Sequence, residues 1–153
     1  MSELGLPKEI RLTKNEAALR QTMAAIEMYL QGRYECAVTL AGAAEGMVPK
    51  SENSMHQAHL TREVPESLKH TEYATFDKTG RNRFWNTQRD WLRHTGDFHP
   101  PSMTIMKLDA ESMISRAITH LPVEIIMDEH KPIFRAIFRE LHSGLAQAFC
   151  LTS

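Results

Sequence analysis

The chain of 153 residues carries only two cysteines, Cys36 and Cys150, too few for a disulfide framework or a cysteine-built zinc site. It lacks a long apolar run. The longest stretch free of Asp, Glu, Lys and Arg is Leu141 to Ser153, 13 residues, against the roughly 20 that cross a bilayer. Neither sign of charge dominates: Lys plus Arg is 18, Asp plus Glu is 19, and the net charge is −1. That balance argues against a dedicated nucleic-acid coat and leaves room for a local basic patch. Met1 to Arg11 mixes Glu3, Pro7, Lys8 and Glu9, so it reads as neither a secretory signal nor a transit peptide. Residues 1–12 are expected to form a flexible arm. No segment alternates apolar and polar residues as a half-buried strand does, and no repeat recurs at a period of 20–50 residues. These absences predict one cytoplasmic domain over 1–153, with no membrane partner.

What remains is helical. Thr13 to Glu16 reads T-K-N-E, a capping box in which hydroxyl and carboxylate satisfy orphan N–H groups reciprocally. Leu19, Met23, Ile26 and Leu30 follow at helical spacing, and Gly32 can adopt the left-handed cap, so a helix is predicted over 14–31. A second, over 35–46, carries Ala37, Leu40, Ala41, Gly42 and Ala44, small residues that let backbones approach closely. The two-residue link Arg33–Tyr34 makes these two helices an antiparallel hairpin. Between 50 and 80 the pattern weakens, with short helices conceivable at 51–62 and 66–77. Helical spacing returns over 82–95, where Phe84, Trp85, Gln88, Trp91 and Leu92 form a broad face. Pro100 and Pro101 mark a loop. Asp109 is read as the cap of a helix with the stripe Met113, Ile114, Ala117, Ile118 and Leu121, ended by Pro122. A last helix carries Ile133, Phe134, Ile137, Phe138, Leu141 and Leu145. The predicted fold is all-α, a single bundle of five to six helices.

Familiar chemistry is missing: there is no glycine-rich phosphate loop, no G-x-S-x-G elbow and no H-E-x-x-H. None of the fourteen Glu residues has His three positions later, which disfavours the di-iron carboxylate sites of helix bundles. His56 and His59 share a face if their segment is helical, yet no carboxylate or Cys partner is fixed for them. Asp128, Glu129 and His130 precede Pro132 at a helix start, where acidic residues suit the dipole. No metal and no cofactor are expected. Cys36, in the Ala-rich helix, reads as a small core residue.

One short motif stands out, Arg89-Asp90-Trp91-Leu92-Arg93-His94. Spacing alone is common, since Arg93/His99 and Arg135/His142 also have four to six residues between them. A short polar residue directly after the Arg singles out the first pair. The six residues resemble the signature of HEPN-type domains, which are small all-helical bundles. That resemblance implies a metal-independent RNA-cleaving site made by the Arg and His, often supplied by both protomers of a dimer. Leu12-Thr13-Lys14 with Leu40-Ala41-Gly42-Ala43-Ala44 is also similar to a group of small bacterial helical proteins, which implies no activity.

The chemistry is coherent. His94 suits a proton acceptor or donor near neutral pH, Arg89 a bidentate clamp on phosphate, and Asp90 an orienting group. Residues 78–93 hold Lys78, Arg81, Arg83, Arg89 and Arg93 against Asp90 alone, a local +4. Arg81, Arg83 and Arg93 with Trp91 are the candidate RNA-binding residues, Trp85 and Trp91 being able to stack unpaired bases or to sit in the core. Arg89 and His94 lie about 140° apart on an ideal helix. They converge only if the helix ends between them, as Gly96 allows, or if a second protomer completes the site. The HEPN toxins carry Tyr two residues after the His; Gly96 stands there in this chain.

Three readings follow. An RNA-binding domain that cleaves RNA requires Arg89 and His94 exposed at one cleft, with a homodimer expected. A non-catalytic interaction module for a protein partner requires an exposed apolar patch and no convergent polar site. A small-ligand binder requires an enclosed pocket beneath residues 50–80.

Overall fold

The computed structural model describes residues 4–49, 72–94 and 100–150, excepting the side chains of residues 73 and 146–150. Within them the chain is all helical: α1 (Lys14–Leu30), α2 (Tyr34–Met47), α3 (Lys78–Arg93), α4 (Lys107–His120) and α5 (Lys131–Cys150). Short 3-10 turns cover Glu72–Thr75 and Val123–Ile125, and no strand occurs among the described residues. The expected helix at 51–62 and the pair His56 and His59 lie outside them.

The capping box forms as read. Thr13 Oγ1 accepts from the Glu16 amide at 3.1 Å, and Glu16 Oε2 accepts from the Thr13 amide at 2.7 Å. Gly32 turns the chain with φ +75°, a conformation that costs a residue with a Cβ. Three residues, Gln31 to Arg33, join α1 to α2, one more than expected, and the two helices pack closely as a hairpin. Ahead of α1, residues 4–12 are exposed.

The buried face of α1 is rotated from the predicted stripe. Ala18, Thr22, Ala25, Ile26 and Tyr29 are buried, whereas Leu30 is 66% exposed and Leu19 and Met23 flank the core. Small residues win the inner positions because α2 presses its own Ala37, Ala41 and Ala44 against α1. Thr22 joins them without penalty by donating its hydroxyl to the Ala18 carbonyl at 2.8 Å.

α3 starts at Lys78, four residues before the predicted start, because Asp77 accepts from the Gly80 amide at 2.8 Å and caps it. Residues 78–80 therefore belong to a helix rather than to the weakly structured segment. Its broad aromatic face is not its buried face: Phe84 is 47% exposed and the buried residue is Asn86. Asp109 is not the cap of α4. The cap is Met106, three residues earlier, and Asp109 reaches back from the first turn to accept from the Met106 amide at 2.7 Å. The stripes of α4 and α5 are buried as expected, apart from the half-buried Ile133, Phe138 and Leu145 at the edge of α5.

Candidate functional site

α4 buries more than its apolar stripe. Glu111, Ser115, Arg116 and His120 are buried with it, and Arg116 is the largest fully buried side chain. A guanidinium cannot be uncharged at ordinary pH, so its burial demands a counter-charge and a full set of acceptors. Glu45 on α2 supplies the charge in a two-pronged contact, Nε to Oε2 at 2.8 Å and Nη2 to Oε1 at 2.6 Å. α3 supplies the rest: Nη1 donates to the Trp85 carbonyl at 2.9 Å and to Asn86 Oδ1 at 2.8 Å. Asn86 is held in turn by its amide, which donates to Asn82 Oδ1 at 3.1 Å. Burial pulls the Arg116 guanidinium below its ordinary value, and Glu45 opposes that pull. His120 closes the far side, its Nδ1 2.9 Å from the Arg116 carbonyl and 3.9 Å from Glu45.

Arg89, predicted from its motif, joins this same carboxylate. Its Nη1 lies 3.4 Å from Glu45 Oε1, and its Nε and Nη2 both donate to Asp90 Oδ1, at 3.3 and 3.2 Å. Its side chain is only 19% exposed. The stem passes over α2 at Gly42, where an added Cβ would stand 2.9 Å from Arg89 Cδ. Gly42 is thus the notch that lets a long side chain of α3 cross α2.

The other members of the motif are placed differently. α3 ends at Arg93, and His94 is its C-cap in extended conformation (φ −121°, ψ 140°), exposed. Residues 89–93 are all helical and the helix ends only at His94, whose imidazole makes no hydrogen bond among the described residues. Trp91 is half-buried and donates its indole N–H to the Pro100 carbonyl at 2.8 Å, fastening the end of α3 to the start of the next segment. Arg83 and Arg93 are exposed, and Arg81 is half-buried.

Arg89 also borders a cavity of about 470 Å³ between α3 and α4, walled by Val38, Trp85, Leu108 and Met113 with Gln88 and Ser112 among its polar groups. Near the other end of α1 lies a second buried carboxylate. Glu111 accepts from the Tyr29 hydroxyl at 2.8 Å and stands 4.0 Å from Lys107, which pairs with Glu140 at 2.9 Å. Burial pushes the Glu111 carboxyl above its ordinary value, and burial does the same to the Tyr29 phenol.

Among the described residues no group of three or more His, Cys, Asp or Glu is arranged to hold a metal. Asp128 pairs with Lys131 at 2.6 Å, and His130 Nδ1 accepts from the Met127 amide at 3.1 Å. Cys36 is half-buried with its thiol against Glu35, rather than in the core. No described helix is long and apolar enough to cross a membrane. Glu45, Asn86, Arg116 and His120 carry no spacing signal, since they come from three helices and as many as 75 residues separate them. Comparison with protein-family models, curated proteins and solved structures returns no match for this chain.

Proposed function

We propose that the chain is a HEPN-like domain that binds RNA and cleaves it without a metal, through Arg89 and His94. The observation that carries this reading is the convergence of Arg89, Glu45, Asp90 and Arg116 at one point beside a cavity. Burying two guanidiniums around one carboxylate is a poor way to gain stability, since an apolar set of the same volume does as well or better. Charged groups arranged at such cost are a mark of functional sites. Three of the five Arg89 N–H groups are engaged by Glu45 and Asp90, which leaves two donors to take phosphate oxygens. Asp90 and Glu45 fix the plane of the fork. His94, exposed at the end of the same helix, would move the proton of the attacking 2′-hydroxyl or of the leaving 5′-oxygen. Lys78, Arg83 and Arg93 on the exposed surface of α3 would steer the polyanion.

The test is cleavage of mixed single-stranded RNA in excess EDTA. Cleavage by the wild type is expected to survive chelation. It should fall roughly 10²-fold or more in His94→Ala, and also in Arg89→Lys, which keeps the charge but loses the fork. No cleavage, or cleavage indifferent to both changes, would retire the reading.

A second reading, an interaction module that pairs with another copy of itself, is favoured by a different surface. Val123 is 81% exposed, Leu30 66% and Met127 57%. Leu30 and Val123 border two shallow apolar grooves, one lined by Leu19, Met23 and Ile133 and the other by Ile126, Phe134 and Phe138. Sedimentation of the wild type beside Val123→Lys/Met127→Lys tests whether this surface makes a dimer. A dimer that the double variant dissolves would support this surface; a monomer in both would exclude it.

A further inference from the structure

The cavity between α3 and α4 is larger than packing defects usually are. Its volume of about 470 Å³ falls in the range of small-molecule sites. Its walls are of two kinds. Val38, Leu108 and Met113 make an apolar floor, and Trp85 stands at one side, edge-to-face with Phe84 at 5.1 Å between centroids. Set among these are the side chains of Gln88 and Ser112, neither of which makes a hydrogen bond among the described residues. One turn deeper along α4, the fully buried Ser115 hydroxyl has no hydrogen-bond partner. At the rim is Arg89, with two guanidinium donors still available.

We infer that this cavity receives an unpaired nucleobase, seated against Trp85 and read along its edge by Gln88 and Ser112, with the attached phosphate held by Arg89. The chemistry of the lining selects that ligand class. A base is flat and apolar on its faces, which suits an aromatic wall and an aliphatic floor. Its edge carries donors and acceptors, which an amide and a hydroxyl can match in either sense. Its phosphate is an anion, which suits the Arg89 guanidinium at the rim. An aliphatic chain would leave Gln88 and Ser112 unmatched, and a plain sugar phosphate would leave Trp85 uncovered. The inference rests on the RNA reading for the role of Arg89 and adds to it a point of base selection that the motif does not contain.

The experiment is equilibrium binding of the four nucleoside 5′-monophosphates to the full chain, by calorimetry, with inorganic phosphate and the free nucleosides as controls. At least one nucleotide is expected to bind, its nucleoside more weakly and inorganic phosphate weaker still. Gln88→Ala, on a half-buried helix position, should weaken that binding about tenfold. Ser112→Phe, which fills the cavity, should abolish it, with circular dichroism checking that both variants are folded. Binding unchanged in Gln88→Ala and Ser112→Phe would overturn the inference, as would no nucleotide binding by a wild type that cleaves RNA. The converse, nucleotide binding lost in both variants by a protein that cleaves no RNA, would sustain the pocket while the cleavage reading fails.

Discussion

The carboxylates of Glu45 and Glu111 are both drawn into this bundle, and they are kept in opposite ways. Glu45 is met by full charges, Arg116 in two-pronged contact and Arg89 at 3.4 Å. Glu111 is met by a phenol, with the nearest ammonium at 4.0 Å and shared with Glu140. The first arrangement surrounds the carboxylate with opposite charge, and the fully buried Arg116 without Glu45 would be a stranded charge. The second leaves the carboxyl free to hold its proton, and burial pushes its pKa up accordingly. One α-helical bundle thus contains a fixed charge cluster, which borders a cavity through Arg89, and a titratable buried acid.

The largest test of that contrast is Arg116→Met. It removes the fully buried guanidinium and leaves Glu45 short of its main partner, which should cost about 3–5 kcal/mol. Urea unfolding measures it, and a loss below about 1 kcal/mol would mean that water or Arg89 already satisfies Glu45. Adding Glu45→Leu to that variant should recover part of the loss.

A smaller and pH-dependent effect belongs to Glu111. Its folded-state pKa lies above the ordinary 4.5, so from that pH upward the native state holds a proton the unfolded chain has released. Stability therefore falls as pH rises through the window between the two values, and the loss is complete above the folded one. Glu111→Gln keeps an acceptor for Tyr29 and should flatten the slope of stability against pH in that window. Parallel curves for variant and wild type would make Glu111 a fixed charge after all, and the contrast with Glu45 would disappear.

The smallest stability effect is expected at Gly42. In Gly42→Ala the new methyl meets the flexible stem of Arg89, not backbone, and the helix gains roughly 1 kcal/mol of propensity. Thermal unfolding should shift by no more than the equivalent of about 1 kcal/mol, while RNA cleavage drops because Arg89 is displaced. A large loss of stability with unchanged cleavage would show that Gly42 serves packing alone.

The legible part of the fold was the part with local causes. The Thr13–Glu16 box, the Gly32 turn and the stripes of α4 and α5 involve residues within one or two turns of each other. Where small and large residues compete for the inner face, the stripe misleads: Leu19 and Leu30 look like core, yet Ala18 and Ala25 hold the 0% exposed positions. Asp109 looked like a cap because acid residues favour the first turn, but they do so at its third position as readily as at its cap. At the candidate site, Arg89, Asp90 and His94 were visible as a motif. Glu45 and Arg116 were not, because periodicity assigns charged residues to solvent. What brings them inside is a pairing across 71 residues, which no window along the chain contains.

The attachment of α3 has a mechanical consequence. Its backbone rests on α2, while toward α4 it is separated by the cavity and tied at Trp85 and Asn86 through the donors of one arginine. The described ties of α3 are spread along it: Arg116 holds Trp85 and Asn86, Arg89 reaches Glu45 on α2, and Trp91 bonds the Pro100 carbonyl. His94 follows eight residues or about 12 Å beyond Asn86, past the last of these ties, so the end of the helix alone sets where its imidazole stands among the described residues.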